Sequence, residues 1–259
     1  MLRSRVIPCL LLHDGALVKT QRFGKFDYIG EPLNTVRIFN ELEVDEIVVL
    51  DILASRRGLA PDYRLISEMA SECFMPLSYG GGIATIDQAK RIFASGVEKV
   101  IVNSGFIQRP GLVTEIAKHS GSQSVIVSID VRRGFGKTPV VASAHGLPCK
   151  ISDPVEAAKH AVQLGAGELL LTSMDRDGTW EGYDLALVKS VADAVDVPII
   201  ASGGAGNVQD IKSLICSAGA SAAAVGSMVV YQKKGFGVLV HFPDRAKLDA
   251  ELLSGQHGR

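Results

Sequence analysis

Met75-Pro-Leu-Ser-Tyr-Gly-Gly-Gly82 and Val197-Pro-Ile-Ile-Ala-Ser-Gly-Gly204 are two versions of one device. In each, a short apolar run reaches a Gly-Gly turn and an amphipathic helical stretch follows. A second apolar run then ends in a small polar turn, Val102-Asn-Ser104 in the first copy and Val225-Gly-Ser227 in the second. A single copy fits any strand–helix unit. Two copies half a chain apart predict a duplicated half-barrel with two matching anion sites, and so a ligand with a phosphate at each end.

The repeat extends outward. Glu46-Ile-Val-Val-Leu-Asp51 stands 122 residues (168 − 46) before Glu168-Leu-Leu-Leu-Thr-Ser173, and Pro76 stands 122 (198 − 76) before Pro198. Val6–Leu11 parallels Ser124–Asp130 at the start of each half. Solenoid repeats have periods of about 20–50 residues, so two fused half-barrels, about 1–122 and 123–259, explain this period better. They form one expected domain over 1–259. Eight strands are predicted: Val6–Leu12, Glu46–Ile52, Pro76–Tyr79, Lys99–Asn103, Ser124–Asp130, Glu168–Ser173, Pro198–Ser202 and Ala222–Gly226. They are continuous runs of Val, Ile and Leu, as in parallel strands buried on both faces. Helical patterns fall between them at Asn34–Leu42, Asp62–Glu72, Ile86–Ser95, Pro110–His119, Asp153–Leu164, Leu185–Ala194 and Asp210–Ser217. This alternation predicts a (β/α)8 barrel, with a doubly wound open sheet as the competitor.

Composition narrows the function classes. The 259 residues are 47% hydrophobic, enough for a buried core, and carry a net charge of −1. Neither a nucleic-acid partner nor a polybasic membrane surface is expected. The start lacks the longer apolar run of a signal peptide, and no 18-residue apolar run reads as a span, so a cytoplasmic protein is expected. Cys9, Cys73, Cys149 and Cys216 lie far apart without CxxC pairing, and the six histidines show no ligand spacing. No metal, disulfide framework or cofactor is therefore expected.

Chemistry concentrates at the predicted strand ends. Gly81-Gly82 and Gly203-Gly204 let a phosphate approach backbone N–H groups, with a helix N-terminus beyond. Asn103-Ser104 and Gly226-Ser227 add donors at the next strand ends. A tight turn that merely needs glycine explains either copy alone. Thr172-Ser-Met-Asp-Arg-Asp-Gly-Thr179 brings Asp177 and Gly178 to the same end. Asp175 and Asp177 lack the further ligands of a calcium loop. Asp130, after an apolar strand, is placed to act as a general acid or base, or else to cap a loop. Its counterpart in the first half is Leu11. Lys19 follows Leu17-Val18 in the region after the first strand, where it can reach a phosphate or remain solvated. Arg5, Glu46, Lys99 and Glu168 each stand at a strand start, at the other end of the barrel. They read either as a closed ring of two cations and two anions or as surface ion pairs.

These motifs resemble the cyclase subunit of imidazole glycerol phosphate synthase over almost the whole chain. The resemblance rests on Ile7-Pro-Cys-Leu10, Asp14-Gly15, Val18-Lys19, Leu50-Asp-Ile52 with Ala54-Ser55, Gly80-Gly-Gly-Ile83, Gly121-Ser-Gln123, Gly182-Tyr-Asp184 and Ile200–Gly206. Its most specific part is Gly165-Ala-Gly-Glu-Leu-Leu-Leu-Thr-Ser-Met-Asp-Arg-Asp-Gly-Thr179. It implies a bisphosphate ligand at the C-terminal face and ammonia from a glutaminase subunit docked at the N-terminal face. It also implies an ammonia gate formed by Arg5, Glu46, Lys99 and Glu168, and a substrate-loop role for Lys19. The family reaction joins ammonia to an aminoimidazole ribonucleotide (PRFAR), giving imidazole glycerol phosphate and AICAR.

Two departures are visible. The family's acid–base pair is two aspartates at the ends of strands one and five. Asp130 matches the second, while Leu11 stands at the first. The tail also differs: the family expects a helix after strand eight leading into a Lys-rich terminal helix, whereas Gly237–Phe242 reads as an extra strand or hairpin arm. Both departures resemble a branch associated with acetamidino-sugar formation in surface polysaccharide synthesis. There the barrel and a glutaminase supply ammonia to a third protein, a sugar amidotransferase. A working cyclase of histidine biosynthesis and a non-catalytic scaffold that activates the glutaminase are the alternatives.

Overall fold

The structure, a computed structural model, describes residues 4–143 and 146–254. Eight parallel strands form its wall: β1 (Arg5–His13), β2 (Ile47–Asp51), β3 (Leu77–Gly80), β4 (Lys99–Val102), β5 (Val125–Arg133), β6 (Glu168–Ser173), β7 (Ile199–Ser202) and β8 (Ala222–Val225). Each pairs with its sequence neighbour. The wall closes where β8 pairs with β1, from Arg5↔Ala222 to Pro8↔Val225. Eight helices follow the strands: α1 (Pro32–Glu41), α2 (Tyr63–Glu72), α3 (Ile86–Ala94), α4 (Gly111–Ser120), α5 (Pro154–Gln163), α6 (Leu185–Ala192), α7 (Val208–Ala218) and α8 (Arg245–Ser254). This is the expected (β/α)8 barrel, and the open sheet is excluded by the closing pair.

Alternation along each strand sorts the apolar residues into two separate cores. Outward residues such as Val6, Leu10, Val49 and Val127 join the helices in the larger cluster. Inward residues, among them Ile7, Cys9, Val48, Ile126, Leu170 and Ile200, form a second cluster inside the wall. The helices begin where the sequence supplies caps. Asp62, Asp153 and Asp184 accept from first-turn N–H groups of α2, α5 and α6. Thr85 with Gln88, and Asn207 with Asp210, form complete capping boxes on α3 and α7.

Several elements differ from the sequence reading. Lys19 belongs to a strand rather than a loop. Ala16–Thr20 and Phe26–Gly30 form an antiparallel hairpin attached to β1. Its first turn is Asp14-Gly15, both with positive φ (52° and 78°), which is the backbone that Asp-Gly favours in a two-residue hairpin. A further strand, Pro139–Val141, pairs with β5. Gly237–Phe242 is an arm rather than a full strand. It folds back through Leu239 N→Val230 O and His241 N→Val229 O, with one bridge between Tyr231 and Val238. The tail departs less than expected, because a short helix (Ser227–Val230) precedes the arm and α8 follows it.

The Gly-Gly turns also have a packing reason of their own. A Cβ on Gly81 would lie 2.6 Å from the Asp51 carbonyl oxygen, and one on Gly204 would lie 2.1 Å from that of Gly182. Adjacent βα turns therefore touch backbone to backbone around the mouth. Gly204→Ala should cost about 3 kcal/mol or more in urea unfolding, since it adds a backbone collision to a φ of +110°. Gly136→Ala, with φ +70° and open space around it, should cost about 1 kcal/mol.

Candidate functional site

The floor of the barrel carries charge. Arg5 donates to Glu46 Oε2 at 2.6 Å and to Glu168 Oε1 at 2.7 Å. Lys99 Nζ reaches Glu168 Oε2 at 2.9 Å and Glu46 Oε1 at 3.5 Å. The four side chains close an alternating ring across strand starts that lie up to 163 residues apart in sequence (168 − 5). Ser78 Oγ adds a bond to Glu46 Oε1 at 2.8 Å. Partial burial works against the Arg5 charge, but Glu168 and Glu46 outweigh it and hold the guanidinium above its ordinary value. Glu46 and Glu168 are buried, so each depends on these partners.

Above this ring the interior is apolar up to Leu11 and Leu50. Cys9 lies in this layer, and burial pushes its thiol up to about 12, so it stays protonated and is a poor nucleophile.

The mouth opens into a cavity of about 280 Å³. Every site residue predicted at this end lines it: Leu11, Lys19, Gly81, Gly82, Asn103, Ser104, Asp130, Asp177, Gly178, Gly203, Gly204, Gly226 and Ser227. Asp130 ends the inward series Ile126, Ser128, Asp130 on β5. It accepts from Asn103 Nδ2 at 3.2 Å and from Ser128 Oγ at 3.4 Å. Burial pushes its carboxyl up to about 7; the Ser128 hydrogen bond opposes this shift and the Asp177 charge adds to it. Leu11 ends the matching inward series Ile7, Cys9, Leu11 on β1, and presents only methyl groups to the same cavity.

Lys19 is buried rather than solvated. Its Nζ lies 2.6 Å from Asp177 Oδ1, while Thr20 Oγ1 donates to Asp177 Oδ2 at 2.6 Å. Arg22 N donates to Asp177 O at 2.9 Å, so one aspartate fastens the hairpin over the mouth. Asp175 goes elsewhere, accepting from Arg133 N at 2.6 Å, and the two carboxylates share no site. Among the described residues no group of three or more His, Cys, Asp or Glu is arranged to hold a metal ion.

The helix-dipole reading of the Gly-Gly turns needs correction. The helices after them, α3 and α7, begin several residues later, behind their own capping boxes. The helices that start in the cavity are short ones, Ser104–Gln108 and Ser227–Val230, whose N-caps Asn103 and Gly226 make no side-chain cap bond. Thr172, the first hydroxyl of the segment placed at this end, lines the cavity too, whereas the sequence reading did not single out Asp51, Ser128 and Ser202 as site residues. The repeat was the usable signal: Ser202 lies 122 residues (202 − 80) after Gly80, at the equivalent strand end.

Fold and site together define a (β/α)8 barrel protein with a polar small-molecule pocket at its C-terminal mouth and an ion ring at its floor. Residues 5–235 match the family described as histidine biosynthesis protein. A Leptospira interrogans protein, provisionally named imidazole glycerol phosphate synthase subunit HisF, is 48% identical over 96% of this chain and 99% of its own length. A Pseudomonas aeruginosa protein provisionally named hisF2 is 49% identical over the same shares. The imidazole glycerol phosphate synthase subunit HisF of Alkaliphilus metalliredigens is 40% identical over 90% of this chain and 92% of its own. The chain belongs to the family of HisF-type imidazole glycerol phosphate synthase subunits.

The raised acid gives a stability test. With its folded pKa above the ordinary carboxylate range, Asp130 binds a proton that the unfolded chain releases between about pH 4 and 7. Stability therefore falls as pH rises through that window. Asp130→Asn removes this penalty. Between pH 4 and 8 its stability relative to the parent should rise by on the order of 2–4 kcal/mol in denaturant titrations.

Proposed function

We propose that this chain receives ammonia from a HisH-type glutaminase subunit at its N-terminal face and delivers it through the barrel to an acceptor at the C-terminal mouth. The destination is the acetamidino group of a surface-polysaccharide sugar, made with a sugar amidotransferase, and the work is cytoplasmic. No helix among the described residues is long and apolar enough to cross a membrane. Ammonia is small and neutral, so an apolar interior between a charged floor and a polar mouth suits it. The ring supports a gate role for Arg5, Glu46, Lys99 and Glu168. Its longest contact, Lys99 to Glu46 at 3.5 Å, is the one that opens at least cost.

The observation that carries this reading is Leu11. The cyclase chemistry of the family needs an acid and a base, and a leucine can be neither. Loss of a positioned proton-transfer group costs about 10²–10⁴-fold. The two glycine turns, with Asn103, Ser104, Gly226, Ser227 and the Asp177-Gly178 turn, keep a cradle for a phosphorylated small molecule. Lys19, held in the mouth by Asp177, lines the same cavity.

A second reading has its own support. Asp130, buried at the cavity wall with a pKa near 7, is poised as a general acid–base for histidine-pathway cyclisation with a single carboxylate. Purified chain with ammonium salt and PRFAR distinguishes the two. Negligible turnover is expected, and rates near those of the family would establish the cyclase instead. Lys99→Ala tests the channel. With the glutaminase present it should leave glutamine hydrolysis running while product formation drops at least about tenfold, because two buried glutamates lose a partner at the floor. Coupling that survives this change would exclude the ring as a gate.

A further inference from the structure

The hairpin over the mouth and the arm after β8 stand side by side. Tyr231 Oη donates to Asp27 Oδ2 at 3.4 Å. Lys19 of the hairpin lies against Gly226, so closely that a Cβ there would come within 2.9 Å of its Cε. Lys234 Nζ donates to the Thr179 carbonyl at 2.9 Å, which pins the arm to the turn after β6. Both loops turn large apolar side chains outward. Tyr28 is 61% exposed, Phe236 52%, Leu239 51% and Val238 45%. Single exposed apolar residues are ordinary, but these lie on two loops linked by Tyr231 and Asp27, one of which, the hairpin, lines the cavity through Thr20, Phe23 and Phe26.

The same loops are basic. Within the outer segments 20–30 and 231–242, exposed Arg22, Lys25, Lys233 and Lys234 stand against one carboxylate, Asp27, a local balance of +3 (4 − 1) on a chain whose net charge is −1. Lys233 Nζ sits 3.9 Å above the Phe236 ring, so cation and aromatic face are presented together. A second copy would set +3 against +3, which argues against self-association through this surface.

We infer that this two-loop rim is the docking surface of the enzyme that takes the ammonia, a protein with an apolar contact face edged by acidic residues. The inference rests on the ammonia-delivery reading and adds to it where the barrel hands over. Ammonia released into water at neutral pH is protonated and lost as a nucleophile. An acceptor must therefore seal against the mouth, and an apolar rim with a charged margin forms such a seal.

The test starts with a photoreactive benzoylphenylalanine at position 28 or 236 in cells that make this chain. Position 74, an exposed Phe at the opposite end of the barrel, serves as the control. Positions 28 and 236 should capture one and the same protein, and position 74 should not. That protein, purified, is then combined with the chain, its glutaminase and glutamine labelled with ¹⁵N in the amide. Label should enter its product. Phe236→Ala and the pair Lys25→Glu/Lys233→Glu should each weaken its binding at least about tenfold by calorimetry. Thermal stability and glutamine hydrolysis should stay at parent levels. Undiminished binding in both variants overturns the docking inference while leaving ammonia delivery intact. Capture of only a second copy, or of no protein, also overturns it. So does binding to phosphatidylglycerol vesicles that the charge reversal abolishes, which would assign the rim to a membrane. If glutamine hydrolysis does not respond to this chain and no label reaches any product, the delivery reading itself fails.

Discussion

The pairing of β8 with β1 is the constraint on which the rest depends. Without it the inward residues of eight strands would face an open cleft. With it they face one another. Closure brings Arg5 within reach of Glu168, although 163 residues separate them. It also carries the Lys19 side chain across to Gly226 and Asp177. Floor ring, apolar interior and mouth all follow from closing one parallel sheet whose side chains alternate strictly in and out.

That geometry also sorts polarity along the axis. Charged groups at strand starts are paired, because two of the four are buried and no water replaces a lost partner. Midway, Ile7, Val48, Ile126, Leu170 and Ile200 present apolar side chains to the axis, with the Cys9 thiol among them. At the mouth the inward positions become polar again, with Ser128, Asp130, Thr172 and Ser202. A hydrated ion is poorly matched to such an axis, because it would shed its shell in the middle layer. A small neutral base is well matched.

Much of this was legible in the sequence, and what escaped had physical reasons. Continuous apolar runs identified all eight wall strands, since burial on both faces leaves no alternation to misread. The duplication led to the strand ends, and every residue predicted there lines one cavity. The hairpin escaped because Ala16–Thr20 is only five residues long and Phe26–Gly30 is largely exposed, although Asp14-Gly15 announced the turn. The partnership of Lys19 with Asp177 spans 158 residues and has no local signal. The Gly-Gly turns admit two readings in sequence, phosphate approach and a tight turn that needs glycine; the loop-to-loop backbone contact that also requires them depends on closure. Asp51 was visible within a matched motif, but its place in the mouth depends on closure.

Leu11 and Asp130 must be understood together. Both occupy inward positions on the mouth layer, one on β1 and one on β5. A carboxylate at position 11 would bring a second charge and its water into the cavity, and two carboxylates sharing one site push one proton affinity upward by repulsion. A leucine removes that charge and leaves an apolar side chain in the cavity wall. Asp130 is then raised mainly by burial, with only Asp177 adding repulsion. The substitution therefore does more than delete one partner of a pair. It changes what raises the surviving acid, from the charge of a neighbour to burial. A single acid raised by burial can donate a hydrogen bond while protonated and accept a proton once ionised, one role at a time. An acid–base pair holds both roles at once on two groups, which one carboxyl does not.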